Sequence, residues 1–423
     1  MKGAPDFTRF DSVIDANVEQ AFSFLDELVR ADSTIGREQA ALEVLADRFA
    51  ASGFEISRLP VPTDIGSDPA AGVPQVPYDG RYDVIARLPP RDGPSLLFNG
   101  HIDVVPPGDV RQWTSPPFEP VRRDGWLYGR GSGDMKAGFA MGWLALHAVQ
   151  QVEPALIRGD LAVLAVIEEE CTGNGTLAAC RAGHLADAVV LLEPTDLDLL
   201  VAGVGVLWFE IVVGGSAGHA YAADRSASAL DAALVIVAGL DELERRINAN
   251  VDDHAFVGVS QPYNLNIGEL RTGDWQSSVP SSATLGVRFG FPRAWTIDQA
   301  VECFESAIVE IASTSAALTA RPPSVRTNGF RAEGYALDTG HPLVEAIAAA
   351  HRETHGKATT PYGLGSTTDA RYYLNQYATP AVCYGPRAVD IHGIDERVEL
   401  QSIVDGAKTL VRFLAHYFEP SER

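Results

Sequence analysis

The chain is 423 residues long, 46% hydrophobic and 21% charged, with a formal net charge of -23. That length exceeds one ordinary core and predicts two or three domains of a globular protein. The excess of acid argues against nucleic acid as a partner, because phosphate binding needs a basic surface, and no apolar run approaches the roughly 20 residues of a membrane helix.

The opening Met1-Lys2-Gly3-Ala4-Pro5-Asp6 leads into polar sequence without the apolar core of a signal peptide, which predicts a cytoplasmic protein. Apolar residues then recur at helical spacing over residues 18–30 and 38–49. Residues 61–80, rich in Pro and Gly, predict a long surface loop of the kind that often carries function. Short apolar runs at 82–88, 95–98, 161–167 and 188–192 read as buried strands, with a helix over 135–150 between two of them. Strands alternating with helices predict an α/β fold whose largely parallel sheet is covered on both faces.

The pattern changes after residue 201. Strands at 207–213, 263–271, 281–289 and around 323–331, with helices at 227–246 and 299–313, make two strand–helix–strand blocks and predict a four-stranded α+β domain. A helix over 341–354, a strand at 381–384 and a last helix over 401–417 return to the first pattern. One α/β domain, residues 1–202 and 333–423, is thus expected to be interrupted by a smaller one at 203–332. No internal repeat is visible. Cys171, Cys180, Cys303 and Cys383 have no CxxC spacing and read as buried free thiols.

Five short segments concentrate the chemistry. His101-Ile102-Asp103 follows an apolar strand, and the carboxylate two residues on is placed to accept the other ring N–H of His101. In Gly129-Arg130-Gly131-Ser132-Gly133-Asp134-Met135-Lys136, glycines allow unusual backbone angles, and Asp134 alone would read as a helix N-cap. Glu168-Glu169-Glu170 ends another strand, where three adjacent carboxylates repel one another unless cations or protons neutralise them. Glu193-Pro194 ends a third strand, and His392-Gly393 lies near the C-terminus. Two histidines with several carboxylates suit zinc, with cobalt or manganese as alternatives. One carboxylate is available to bridge two ions and another to act as a base.

The order of these segments resembles the co-catalytic zinc hydrolases that include acetylornithine deacetylase, succinyl-diaminopimelate desuccinylase, aminoacylases and glutamate carboxypeptidase. The resemblance covers nearly the whole chain and implies a catalytic domain with an inserted lid. It implies that His101, Asp134 and Glu193 hold one metal and that His392, Glu170 and the bridging Asp134 hold the other. Glu169 would be the general base and Asp103 would orient His101. The family usually shows Asp-Glu-Glu where this chain has Glu168-Glu169-Glu170, and spacing to Gly175 selects the last two as the active pair. His219 matches a lid histidine that polarises the scissile carbonyl, often in the partner subunit. Asn266, Arg288, Gly365 and Ser366 fall where the family contacts substrate.

The expected activity is metal-dependent hydrolysis of an amide C–N bond in a small N-acylated amino acid, by a homodimer joined through its lids. A dipeptidase or carboxypeptidase, or an amidase of an aromatic or xenobiotic C–N bond, are alternatives within the enzyme class. A non-catalytic binding protein on the same scaffold is the alternative outside it.

Overall fold

Alternation of apolar residues decides which face each strand of the larger sheet presents. Along Leu161–Val166, residues Leu161, Val163 and Ala165 pack into one apolar cluster, while Ala162, Leu164 and Val166 pack into another. The strand Leu96–His101 divides likewise, with Leu96 and Phe98 on one side and Leu97 on the other. A strand that is apolar at both parities must be covered on both faces. Helices Val18–Arg30, Gln39–Ala51, Ala137–Val152, Pro342–His355 and Leu400–Tyr417 cover one face. Helices Asn174–Arg181 and Ala370–Tyr377 contribute to the cluster on the other. This computed structural model describes residues 6–419, so the opening residues read above as lacking a leader lie, except for Asp6, outside the described part.

Among the described residues the sheet has nine strands. Leu161–Val166, Leu96–His101, Ala188–Leu191 and Ala381–Cys383 form its middle, each parallel to the next. Antiparallel strands flank them: Tyr82–Arg87 and Glu55–Pro60 on one side, Leu199–Gly203 and Tyr335–Ala336 on the other. Register sets His101 beside Val166 and Asn99 beside Leu191. The turns after three neighbouring strands therefore open at the same carboxyl edge, the usual place for a site in such sheets.

The second sheet runs Leu265–Thr272, Ser282–Phe291, Gly205–Gly214 and Ser324–Ala332, antiparallel throughout. Helices Ala229–Asn248 and Ile297–Ser313 pack on it around a separate core, in which the Phe209 and Phe304 rings stack at 3.9 Å. The succession strand–helix–strand–strand–helix–strand is that of a ferredoxin-like unit. Its second helix starts at Ile297 because Thr296 and Gln299 cap it reciprocally.

Several elements escape the periodicity. The helix expected from residue 135 begins at Ala137, after a wide turn over Ser132–Lys136. Gly138 in that helix lies so close to the sheet that a Cβ there would sit 1.9 Å from the Leu192 carbonyl oxygen. Asn174–Arg181 is buried from Asn174 to Cys180 and so has no polar stripe to reveal a helix. Phe7–Ala16, Glu55–Pro60, Leu199–Gly203 and Pro361–Leu364 are further elements that the sequence pattern left unassigned. Among the described residues, no helix is long and apolar enough to cross a membrane.

Candidate metal centre

His101 is the last residue of its strand and is 1% exposed. Its Nε2 lies 3.1 Å from Asp134 Oδ1 and 3.8 Å from Glu193 Oε2. The other Asp134 oxygen, Oδ2, lies 3.3 Å from His392 Nε2, which is 3.0 Å from Glu170 Oε2. Two groups result, His101–Asp134–Glu193 and Asp134–Glu170–His392, and within each the candidate ligand atoms lie within 4.8 Å of one another. Asp134 belongs to both and turns one oxygen towards each histidine.

The electrostatics of these groups call for positive charge. Burial pushes Glu169 well up and Glu193 up to about 8, with neighbouring carboxylates adding to both. Burial would lower the His101 imidazole, but the Glu193 and Asp134 carboxylates outweigh it and hold it up. Glu170, with Asp134, holds His392 up as well. Burial also opposes ionisation of Asp134, but hydrogen bonds from the two imidazoles keep it below the usual carboxylate range. Imidazole and carboxylate donors converging from five chain segments, with surplus negative charge, fit two zinc-class divalent ions.

A residue that sequence reading missed holds Asp134 in place. The Glu396 carboxylate, 1% exposed, accepts the backbone N–H groups of Gly131 at 3.0 Å and of Gly133 and Asp134 at 2.9 Å each, together with Arg130 Nη1. Arg130 Nη2 also donates to the Gly393 carbonyl at 3.0 Å, beside His392. Gly131, at φ +77, supplies a left-handed angle that lets these N–H groups converge. Asp134 caps no helix: at φ -109, ψ 99 it lies inside the turn with its side chain towards the histidines. Lys136 Nζ ties the same turn to the carbonyls of Leu28 at 2.8 Å and Ala31 at 3.1 Å, at the C-terminus of Val18–Arg30. Glu396 closes the segment 390–396 that carries His392, but nothing in that segment shows that its carboxylate turns to residues 130–134.

The glutamate triplet is sorted by its turn. Glu168, at φ 62, is fully buried and accepts from the Tyr78 hydroxyl, Arg81 and, at 2.8 Å, the Thr172 hydroxyl. Glu169 and Glu170 stay at the sheet edge, their backbone N–H groups donating to the Asp103 carboxylate at 3.2 and 3.1 Å. Asp103 therefore differs from expectation. The His101 ring nitrogen Nδ1 meets the Asp103 backbone oxygen at 2.9 Å, whereas the carboxylate is 3.7 Å away. The carbonyl orients the imidazole, and the carboxylate anchors the turn that carries Glu169.

Arg288 reaches from the second sheet to Gly365 O at 3.0 Å and Ser366 Oγ at 3.4 Å, with Asn264 O at 3.2 Å. It has no carboxylate partner among the described residues, and burial lowers its guanidinium to about 10. Asn266 lies opposite Arg288 across the strand pair, exposed. Asn264, two residues earlier, is the asparagine that approaches Gly365 O, at 3.5 Å. His219 belongs to neither ligand group. It is exposed on the two-stranded ribbon Gly218–His219 and Ser278–Val279, and its Nδ1 accepts the Tyr221 N–H at 3.2 Å.

Glu396→Gln keeps the shape of the side chain but turns a donor towards backbone N–H groups. Zinc affinity, measured by competition with a chromophoric chelator, is expected to fall ~10–100-fold, the usual cost of losing ligand support. Unchanged affinity would remove Glu396 from that role.

A family model described as Peptidase family M20/M25/M40 matches residues 97–416. Among curated proteins, the N-formyl-4-amino-5-aminomethyl-2-methylpyrimidine deformylase of Bacillus subtilis is 28% identical over 362 residues, covering 80% of this chain and 83% of its own. The succinyl-diaminopimelate desuccinylase of a Caulobacter species is 28% identical over 413 residues, covering 92% and 94%. Among solved structures, a di-peptidase of Saccharomyces cerevisiae superposes with a TM-score of 0.80 at 15% identity, covering 99% of each chain. Human carnosine dipeptidase 1 superposes with a TM-score of 0.74 at 15% identity, covering 98% of this chain and 100% of its own. The structures share the fold, and the family match extends over most of the chain, including the carboxyl sheet edge where the histidines and carboxylates converge. The chain belongs to the M20/M25/M40 peptidase family and is a hydrolase of amide bonds.

Proposed function

We propose that this protein removes the acyl group from a small N-acylated amino acid, using two divalent ions, zinc first with cobalt or manganese as alternatives. The observation that carries this reading is Asp134, with one oxygen towards each histidine, beside a buried glutamate, Glu169, whose carboxylate accepts no hydrogen bond from protein among the described residues. The names of the two curated relatives, a desuccinylase and a deformylase, agree with deacylation. In this reading His101, Asp134 and Glu193 hold one ion and Asp134, Glu170 and His392 the other.

Ions held in this way supply Lewis-acid polarisation of the scissile carbonyl and a water of lowered pKa. Glu169 takes the proton of the attacking water and returns it to the leaving amine nitrogen. Asp103 holds the base in place through the backbone of Glu169 and Glu170. Arg288, a half-buried cation with no carboxylate partner among the described residues, takes the carboxylate of the amino-acid part, next to Gly365 and Ser366.

Residues 203–332 serve as the lid on a catalytic domain formed by 1–202 and 333–423. Strand Leu265–Thr272 is a sheet edge, and Leu270, Tyr221 and Trp275 expose 42%, 84% and 72% of their surface in or near it. Pairing of two such edges in a homodimer gives His219 a partner's active site in which to polarise the scissile carbonyl. The free thiols suit the cytoplasm.

Turnover of the metal-loaded and chelated protein on N-acetyl, N-succinyl and N-carbamoyl amino acids and dipeptides tests the reading. Metal-dependent release of an amine supports it, whereas release from dipeptides alone replaces it with a dipeptidase. Glu169→Gln is expected to lower kcat by about 10²–10⁴-fold with bound metal unchanged; near-normal turnover would sink the role. Arg288→Ala is expected to raise KM ~10–100-fold for substrates carrying a carboxylate, the worth of one charged hydrogen bond. An equal rise for an acylated amine without a carboxylate would refute the contact. Sedimentation should give a dimer, and a fully active monomer would overturn the shared site.

A further inference from the structure

The long loop at residues 61–80 ends in a segment fastened on both sides. On the catalytic side, the Gly72 N–H donates to Asn174 Oδ1 at 2.9 Å. Asn174 Nδ2 returns bonds to Gly72 O at 3.1 Å and to the Tyr78 hydroxyl at 2.8 Å. The Tyr78 hydroxyl in turn donates to Glu168. On the other side, the Val73 N–H donates to Gly329 O at 2.7 Å and Gln75 Nε2 to Asn328 Oδ1 at 2.9 Å. Those partners belong to strand Ser324–Ala332, at the point where its register with Gly205–Gly214 shifts between Thr327 and Arg331.

The contact is made backbone against backbone. A Cβ on Gly72 would lie 2.8 Å from Thr172 Cα and 2.9 Å from Gly329 O. A Cβ on Gly329, at φ +58, would lie 2.4 Å from the Trp208 ring and 3.1 Å from Cys171 O. The loop, the irregular part of the inserted sheet and the Cys171–Thr172 turn therefore meet at one place. That turn directly follows Glu169 and Glu170, and Glu168, which opens it in a left-handed conformation, is held by Tyr78. A residue forced into that region keeps it only while its surroundings impose it.

We propose that residues 71–78 are a strap that makes the placement of Glu169 depend on the seating of the inserted domain, with Tyr78 as a positioning residue acting through Glu168. Withdrawal of Asn328 and Gly329 would free Val73 and Gln75. The Tyr78–Glu168–Asn174 hub would then loosen, and the turn carrying the base would lose one of its supports, leaving Arg81 on Glu168, Arg371 on the Thr172 carbonyl and Asp103 to hold it. Seating of the inserted domain thereby tightens the hold on the base. The kinetic half of this proposal rests on the reading of Glu169 as the base; the structural half does not.

Hydrogen exchange of the full-length zinc-loaded protein tests the strap without any substrate. In the double variant Gln75→Ala with Asn328→Ala, exchange should quicken about tenfold, as for loss of one net hydrogen bond, in peptides covering 168–175 as well as 71–78. Peptides covering 129–136 should not change. Quickening confined to 71–78 and 324–332 overturns the strap. Tyr78→Phe should lower kcat about tenfold on the same grounds, with KM within twofold and zinc content unchanged. A kcat within twofold of the parent overturns the positioning role. Near-normal turnover by Glu169→Gln refutes the base assignment instead, and the exchange comparison still decides the strap.

Discussion

A carboxylate taken out of water costs several kcal/mol unless donors replace the lost hydration. Glu396 meets that requirement with three backbone N–H groups and a guanidinium, all from residues 130–134. The rest of the centre depends on this arrangement. It fixes the turn that aims Asp134 at both histidines, and through Arg130 and the Gly393 carbonyl it fixes the loop that carries His392. The small sheet formed by Ala388–Val389, Arg397–Glu399, Trp126–Tyr128 and Val121–Arg123 extends the same connection between chain segments far apart in sequence.

The site concentrates buried acid, and each acidic group is handled differently. Asp103 receives two backbone N–H groups, Glu168 receives Tyr78, Arg81 and Thr172, and Asp369 sits 3.3 Å from Arg371. Asp134, Glu169, Glu170 and Glu193 are left facing one another across two imidazoles. A fold selected for stability alone would not keep four carboxylates so close. Such a concentration of perturbed groups is the physical mark of a site built for cations and proton transfer.

The inserted domain touches the catalytic domain through contacts of different chemistry. Arg288 reaches the neutral acceptors of Gly365 and Ser366, and the strap contact joins Val73 and Gln75 to Gly329 and Asn328. A guanidinium bonded to neutral oxygens gains by exchanging one of them for a carboxylate, which brings an opposite charge and a fork that two parallel N–H groups can meet. The strap has no such exchange available. One contact can therefore respond to a ligand while the other reports where the domain sits.

Much of this was legible in the chain itself. Period-two and helical patterns set out the α/β organisation and the four-stranded insertion, since both depend on neighbours a few residues apart. Short motifs singled out His101, Asp134, the glutamate triplet, Glu193 and His392, because the chemistry of a metal donor is written in residue type. Other features were decided only by tertiary structure. Asp103 turns its carboxylate to the backbone of Glu169 and Glu170, 66 and 67 residues away. Glu396 holds Asp134 across 262 residues, and Gln75 meets Asn328 across 253. Sequence determined which groups could bind a cation, since that is a property of each side chain. Only the folded chain decided which carboxylate faces the site and which supports it, because that choice rests on donors brought from distant segments.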